Sequence, residues 1–100
     1  MIRGTTPTHT FLLPFEASEI RTLRVCYAQR GVVVLDKTKE DCALEGNAVR
    51  VRLTQEDTLR FVAGDRVQIQ LRVLTNEGDV FASRLLGAGV EDTLCEEVLV

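Results

Sequence analysis

The sequence predicts an all-β sandwich of about seven short antiparallel strands, and three observations carry that expectation. Apolar and polar residues alternate with period two over several segments, most cleanly from Arg66 to Val73. Turn-forming Gly and Asn fall between those segments at intervals of roughly 8–12 residues. Val and Leu supply most of the apolar residues, against four Phe, one Tyr and no Trp. A core built this way suits pleated strands, where the branched Cβ of Val packs well.

The strands follow in order. His9 to Leu13 forms the first, and Pro14 ends it because proline cannot continue a ladder. Leu23, Val25 and Tyr27 then alternate with Arg24, Cys26 and Ala28. Val32 to Lys37 is apolar at nearly every position, a pattern expected of a strand covered on both sides. Cys42 to Leu44 is short. Val49, Val51 and Leu53 alternate with Arg50 and Arg52. Val67, Ile69, Leu71 and Val73 share one face, opposite Arg66, Gln68, Gln70 and Arg72, a separation that a helix would smear around its circumference. Val80 to Leu86 closes the run. Arg30-Gly31, Glu45-Gly46-Asn47 and Thr75 to Asp79 supply the turns.

Two stretches depart from strand patterning. Thr54 can cap one helical turn ending near Phe61, and Glu16 to Glu19 reads as a turn or a loop. The chain, 1–100, has the length of a single domain. From Glu91 onward it is acidic and ends in Val98-Leu99-Val100, so 91–100 is expected to be either an edge strand or a flexible segment that docks on a partner.

Charge and cysteine usage narrow the partners. A net charge of -3 gives no overall attraction to nucleic acid or to an anionic membrane. Ten of the twelve basic residues are Arg, which favours planar pairing with carboxylates and therefore protein contacts. The three cysteines, Cys26, Cys42 and Cys95, leave at least one thiol outside any intrachain disulfide, unlike a secreted disulfide scaffold. Met1 to Pro7 holds no secretory apolar run, and Val32 to Leu35 is far too short to span a bilayer. The expected site of synthesis and residence is the reducing cytoplasm, with later exit by lysis as part of a particle.

Chemical motifs are sparse. His9, Cys26, Cys42 and Cys95 lack the close spacing of a zinc site, so no metal is expected. No nucleophile elbow surrounds Ser18 or Ser83, and His9 is the only histidine available as a base. The acid pairs Glu40-Asp41, Glu56-Asp57 and Glu91-Asp92 fall where solvated loops are expected. Gly87-Ala88-Gly89 follows a strand with no helix behind it to cradle a phosphate. Arg50, Arg52, Arg66 and Arg72 project outward, but Phe11 and Tyr27 face inward, so the stacking platform of single-strand binders is missing. These readings exclude an expected enzyme, cofactor, small-molecule substrate or nucleic-acid ligand.

Val49 to Val73, a strand, a polar loop with Asp57 and Gly64, and an alternating strand, resembles the corresponding part of an immunoglobulin-like sandwich. The chain lacks the disulfide and core Trp of antibody domains, with Val25 and Tyr27 expected to face Ile69 and Leu71 where the bridge would sit. Gly4 to Thr8, Leu53 to Thr58 and Val67 to Val73 resemble small proteins of phages and prophages of Gram-positive bacteria. The pattern is more loosely similar to the N-terminal domain of phage baseplate upper proteins.

This resemblance implies a non-catalytic phage or prophage structural protein of virion, tail or baseplate assembly, acting on other phage structural proteins or on itself. Its expected mechanism is surface complementarity through unpaired edge strands and an Arg-bearing sheet face, with Arg50, Arg52, Arg66 and Arg72 as polar contacts and Val98, Leu99 and Val100 as docking segment. The alternative is a host-surface or ligand-binding module that uses Thr75 to Asp79 and Arg30-Gly31.

Overall fold

The computed structural model describes Met1 to Val100 as two antiparallel sheets packed face to face. The strands are β1 Thr8–Leu12, β2 Ile20–Gln29, β3 Val32–Thr38, β4 Cys42–Glu45, β5 Ala48–Arg52, β6 Val67–Thr75, β7 Val80–Ala82 and β8 Leu86–Ala88. One sheet runs β1-β5-β4 and the other β3-β2-β6-β7, with β8 also pairing along β6. Alternation decides this arrangement: Val25, Tyr27, Val49, Val51, Val67, Ile69, Leu71 and Val73 are buried between the sheets. No helix is long and apolar enough to cross a membrane.

The strand order has a specific reading. With β1 to β6 lettered B, C, C′, D, E and F, and β7–β8 together G, the sheets are B-E-D and C′-C-F-G. That is the immunoglobulin-type order without its first strand, A. The lettering corrects one expectation. Val25 and Tyr27 do not face Ile69 and Leu71 across the sandwich; they pair with Leu71 and Ile69 side by side in one sheet. An inter-sheet bridge would instead link β1 and β6, where Phe11 and Leu71 sit.

Three further departures have physical causes. The expected strand Val80 to Leu86 is two short strands, because Ser83 turns its hydroxyl to accept from the Leu71 amide. Val32 and Val33 are 65% and 56% exposed, so β3 is not covered on both sides. It is the outermost strand of the wider sheet, and a register shift leaves Val34 unpaired between Leu35 and Val33. The acidic pair at Glu56-Asp57 is no loop; it sits in the first turn of helix α1, Gln55–Leu59. Thr54 Oγ1 accepts from the Asp57 amide, and the Asp57 carboxylate accepts from the Thr54 amide, closing a capping box.

The crossings leave the two ends of the sandwich distinct. Leu13–Glu19, Gly46–Asn47 and Asn76–Asp79 meet at one end, tied by the Ala17 amide donating to Gly46 O and the Asn76 amide to Glu19 O. Helix α1 and the Arg30-Gly31 turn lie at the other end. There the buried Gln29 amide group donates to the Val62 and Asp65 carbonyls and accepts from the Val62 amide.

Candidate functional site

The missing first strand leaves a built feature. In β1 the Leu13 amide donates to Asn47 O and the Leu53 amide to Pro7 O, so odd-numbered β1 residues carry the ladder to β5. Thr8, Thr10 and Leu12 therefore turn their amides and carbonyls away from β5, along an unpaired edge. Strand β7 repeats this pattern. Its partners are set by Thr75 N–H to Asp79 O and Ser83 N–H to Leu71 O, which leaves Val80 and Ala82 pointing outward. Two free edges, one from each sheet, border the same seam.

The floor of the seam is apolar. Phe81 pairs with Val73, and Leu86 with Ile69, so both side chains sit on the inner face of their sheet. Each is nevertheless about half exposed, at 46% and 48%, because no strand lies over them. A crevice of about 200 Å³ opens there, with Phe11, Leu13, Phe15, Leu71, Val73 and Phe81 among its lining residues. The Phe15 and Phe81 rings meet tilted by 43°, 5.2 Å between centroids. At its upper end they also border a second, polar crevice of about 290 Å³ with Glu19, Glu77 and Asp79.

The lower end of the seam is already filled, by the chain itself. Met1 to Arg3 runs parallel to Gly89–Glu91, with the Glu91 amide donating to Met1 O and the Arg3 amide to Glu91 O. The Met1 ammonium donates to Gly89 O at 2.8 Å. This short segment pairs in parallel with the backbone just beyond β8. Thr58, fully buried, pins it by donating to Thr5 O and accepting from the Gly4 amide.

Of the edges in the sandwich, β1 carries the least protection against pairing. It holds five residues without a charge among them, Thr8 to Leu12. By contrast β3 is bulged and bears Asp36 and Lys37, and β4 has four residues ending in Glu45. Charge, bulges and brevity are the usual means of blunting an edge. Only β1 lacks all three.

The four arginines named from the sequence are all exposed, but they do not share a face. Arg50 and Arg52 lie on the outer face of the three-stranded sheet, beside Thr10 and Thr8. Arg72 lies on the outer face of the opposite sheet between Arg24 and Ala82. Arg66, just before β6, places its guanidinium over Gly87. Only Arg50 has an acidic neighbour, Glu45 at 3.5 Å; Arg52, Arg66 and Arg72 have none within 4 Å. One shared Arg-bearing face is thus replaced by two flanks with the seam between them, Arg50 one strand in from one lip and Arg72 from the other.

Val98, Leu99 and Val100 belong to a tethered segment in which Val98 is half-buried and Leu99 and Val100 are exposed. Arg3 Nη1 lies 2.6 Å from both Asp92 Oδ1 and Glu96 Oε1, and its Nη2 donates to Leu59 O. The Gln55 side-chain amide pairs with the Leu99 backbone in both directions. Leu94 and Val100 remain fully exposed, and Leu99 largely so. Sequence reasoning missed Arg3 as the anchor, since a lone charge eighty-nine residues from Asp92 carries no local signal.

Catalytic groups converge less well. His9 Nδ1 and the Tyr27 hydroxyl share a hydrogen bond of 2.7 Å across the sheets. Burial lowers the His9 imidazole, aided by the positive N-terminus, and burial raises the Tyr27 hydroxyl. Cys42 lies on the same inner face as His9, with Val51 in register between them, two strand spacings or about 10 Å away. Its thiol donates to Thr38 O, and burial pushes it up rather than toward thiolate. Neither the seam crevice nor the polar crevice beside it is lined by His9, Tyr27 or Cys42. Thr75–Asp79 and Arg30-Gly31 do not form one loop surface either. The Ile20–Thr75 and Ala28–Gln68 pairs put them at opposite ends of β2, roughly 30 Å apart at the strand rise. No protein family, curated protein or solved structure matches the chain.

Proposed function

We propose that this chain is a non-catalytic assembly module, a phage or prophage structural protein that binds other proteins by strand addition at the seam between β1 and β7. The observation that carries the reading is the pair of free edges flanking a half-exposed apolar floor, where an immunoglobulin-type sandwich has its first strand. An extended segment placed there gains main-chain hydrogen bonds from the edges and specificity from alternate side chains in the crevice. Covering Phe81 and Leu86 adds the hydrophobic contribution. The phage resemblance of Gly4–Thr8, Leu53–Thr58 and Val67–Val73 supports particle assembly as the setting. The partner is then another structural protein or a second copy.

The test uses particles purified after induction of the source strain, with tagged wild-type and Phe81→Arg chains supplied in parallel. Wild type is expected in the particles and the variant absent from them, both being folded. Absence of wild type at every stage, or equal incorporation of both, overturns the proposal.

A second reading, a host-surface or ligand-binding module, draws support from the gathering of Leu13–Glu19, Gly46–Asn47 and Asn76–Asp79 at one end beside the polar crevice. In that case, substitutions at Asn76 and Glu77 abolish cell-wall binding while Phe81→Arg leaves it intact.

A further inference from the structure

We infer that the strand received by the seam is the C-terminal segment of a second copy of this chain, 94–100, an inference that rests on the seam being a strand acceptor.

The segment has the chemistry that the seam lacks. Extended, it alternates: Glu96, Val98 and Val100 fall on one side, Glu97 and Leu99 on the other. Val100 has no apolar partner within its own chain and stands fully exposed, as does Leu94 at the start of the segment. With Val98 and Val100 over Phe81 and Leu71, the segment fills the crevice with small branched side chains. Five residues, Glu96 to Val100, equal the length of the free β1 edge, Thr8 to Leu12.

Charge is complementary as well. The crevice lining is uncharged; Arg84, which follows its Ser83, and Arg72, on the outer face between its Leu71 and Val73, have no acidic partner within 4 Å. Arg24, which neighbours Arg72, is already held by Asp36 at 2.6 Å. The segment brings Glu97, on the side opposite Val98 and Val100, to this rim. Desolvated at an edge, such pairs set register and direction.

The donation must be between copies. A chain folding its own tail back along β8 would have to pass the outer edge of Gly89–Glu91, which Met1 to Arg3 occupies. Arg3 also holds Asp92 and Glu96 on the α1 side, where Gln55 receives Leu99. Seating Glu96 to Val100 in a partner's seam releases Glu96 from Arg3, whose side chain is 14% exposed, and Leu99 from Gln55, so the intermolecular strand replaces two intrachain ties. The same chain thus carries a donor at one end and an acceptor along one side. Such a heterologous contact generates rings or filaments.

Donor and acceptor can be broken separately in the full chain. Val98→Asp with Val100→Asp removes the donor. Phe81→Arg blocks the acceptor, and Ala82→Pro blocks it independently, because the Ala82 amide points away from β6 and its loss breaks no internal bond. Light scattering over the micromolar range is the measurement. Wild type is expected to at least double its mass with concentration, and each variant to stay at the monomer mass. Mixing donor-null with acceptor-null chains is expected to restore a one-to-one complex and nothing larger.

Association of the donor-null chain like wild type overturns the tail as donor while leaving the seam as acceptor. Failure of the mixture to pair also overturns the inference. If Phe81→Arg and Ala82→Pro both associate like wild type, the seam reading falls with it. A wild type that stays monomeric throughout rejects the second copy alone, and the particle experiment then decides the seam.

Discussion

Lys37 Nζ lies 2.8 Å from Asp57 Oδ2, and this ion pair fastens the edge strand β3 to the helical crossing α1. Both side chains are largely buried, at 15% and 13% exposure. Burial by itself would raise the Asp57 carboxyl. The hydrogen bond and charge of Lys37, with the Thr54 amide, more than offset it and hold the group below its ordinary 3.8.

A group depressed on folding contributes stability above its unfolded value and loses it as pH falls through its folded value. The Asp57 contribution is therefore present above pH 3.8 and lost below it. Asp57→Ala, which removes the pair and the capping box together, is expected to cost about 3 kcal/mol at neutral pH. Denaturant melts at neutral pH and at acid pH check this, the variant showing the flatter acid limb. The Lys37→Met/Asp57→Ala double variant is expected to lose less than the sum of the two single losses.

His9 is the only histidine, so its titration can be followed without ambiguity. Burial first, and then the positive N-terminus, set it below 6.5. The stability it contributes in the neutral form is complete above pH 6.5 and lost as pH falls through its lowered folded value. An imidazole titration by NMR is expected to fall below 6.5. Tyr27→Phe, which leaves Nδ1 without its 2.7 Å partner, is expected to cost about 1–2 kcal/mol.

Gln29 is buried at the end of β2, and its amide makes three bonds to the backbone of Val62 and Asp65. Gln29→Ala strands those groups and is expected to destabilise the chain by about 2–3 kcal/mol. Amide exchange at Val62 should rise in the variant more than exchange in β5.

Arg30 adopts φ 51 and Gly31 φ 76, the mirror-image two-residue turn that matches strand twist. Arg30→Gly relieves a non-glycine residue at positive φ and Arg30→Asn tolerates it better, so a gain of roughly 0.5 kcal/mol is expected for Asn. Gly31→Val should lose about 1–2 kcal/mol. Thermal melts of both variants check the opposite signs.

Much of the sandwich was legible because its signal is local. The alternation from Val67 to Val73, the capping box at Thr54 and the turn at Arg30-Gly31 each depend on neighbours a few residues away. Where the reading failed, the cause was distance. Val32 and Val33 look buried in composition, but exposure depends on whether another strand lies over them. Likewise Arg50 and Arg72 share an outward pattern, and only topology shows that their sheets face away from each other. The seam itself was illegible for the same reason. No residue in Thr8–Leu12 or Val80–Ala82 announces that a strand is missing beside it. Phe81 carried the nearest signal, an aromatic in a segment otherwise poor in long apolar side chains.

Amide hydrogen exchange at Thr8, Thr10, Leu12, Val80 and Ala82, compared between the isolated chain and its assembled form, tests the strand-acceptor seam most directly. In the isolated chain these five amides should exchange quickly while those of Phe11 and Phe81 are protected, because the two sets point in opposite directions. Assembly should slow the first set selectively. Protection of Thr10 already present in the isolated chain, or protection gained on assembly at Val32 and Val33 instead, would contradict the account.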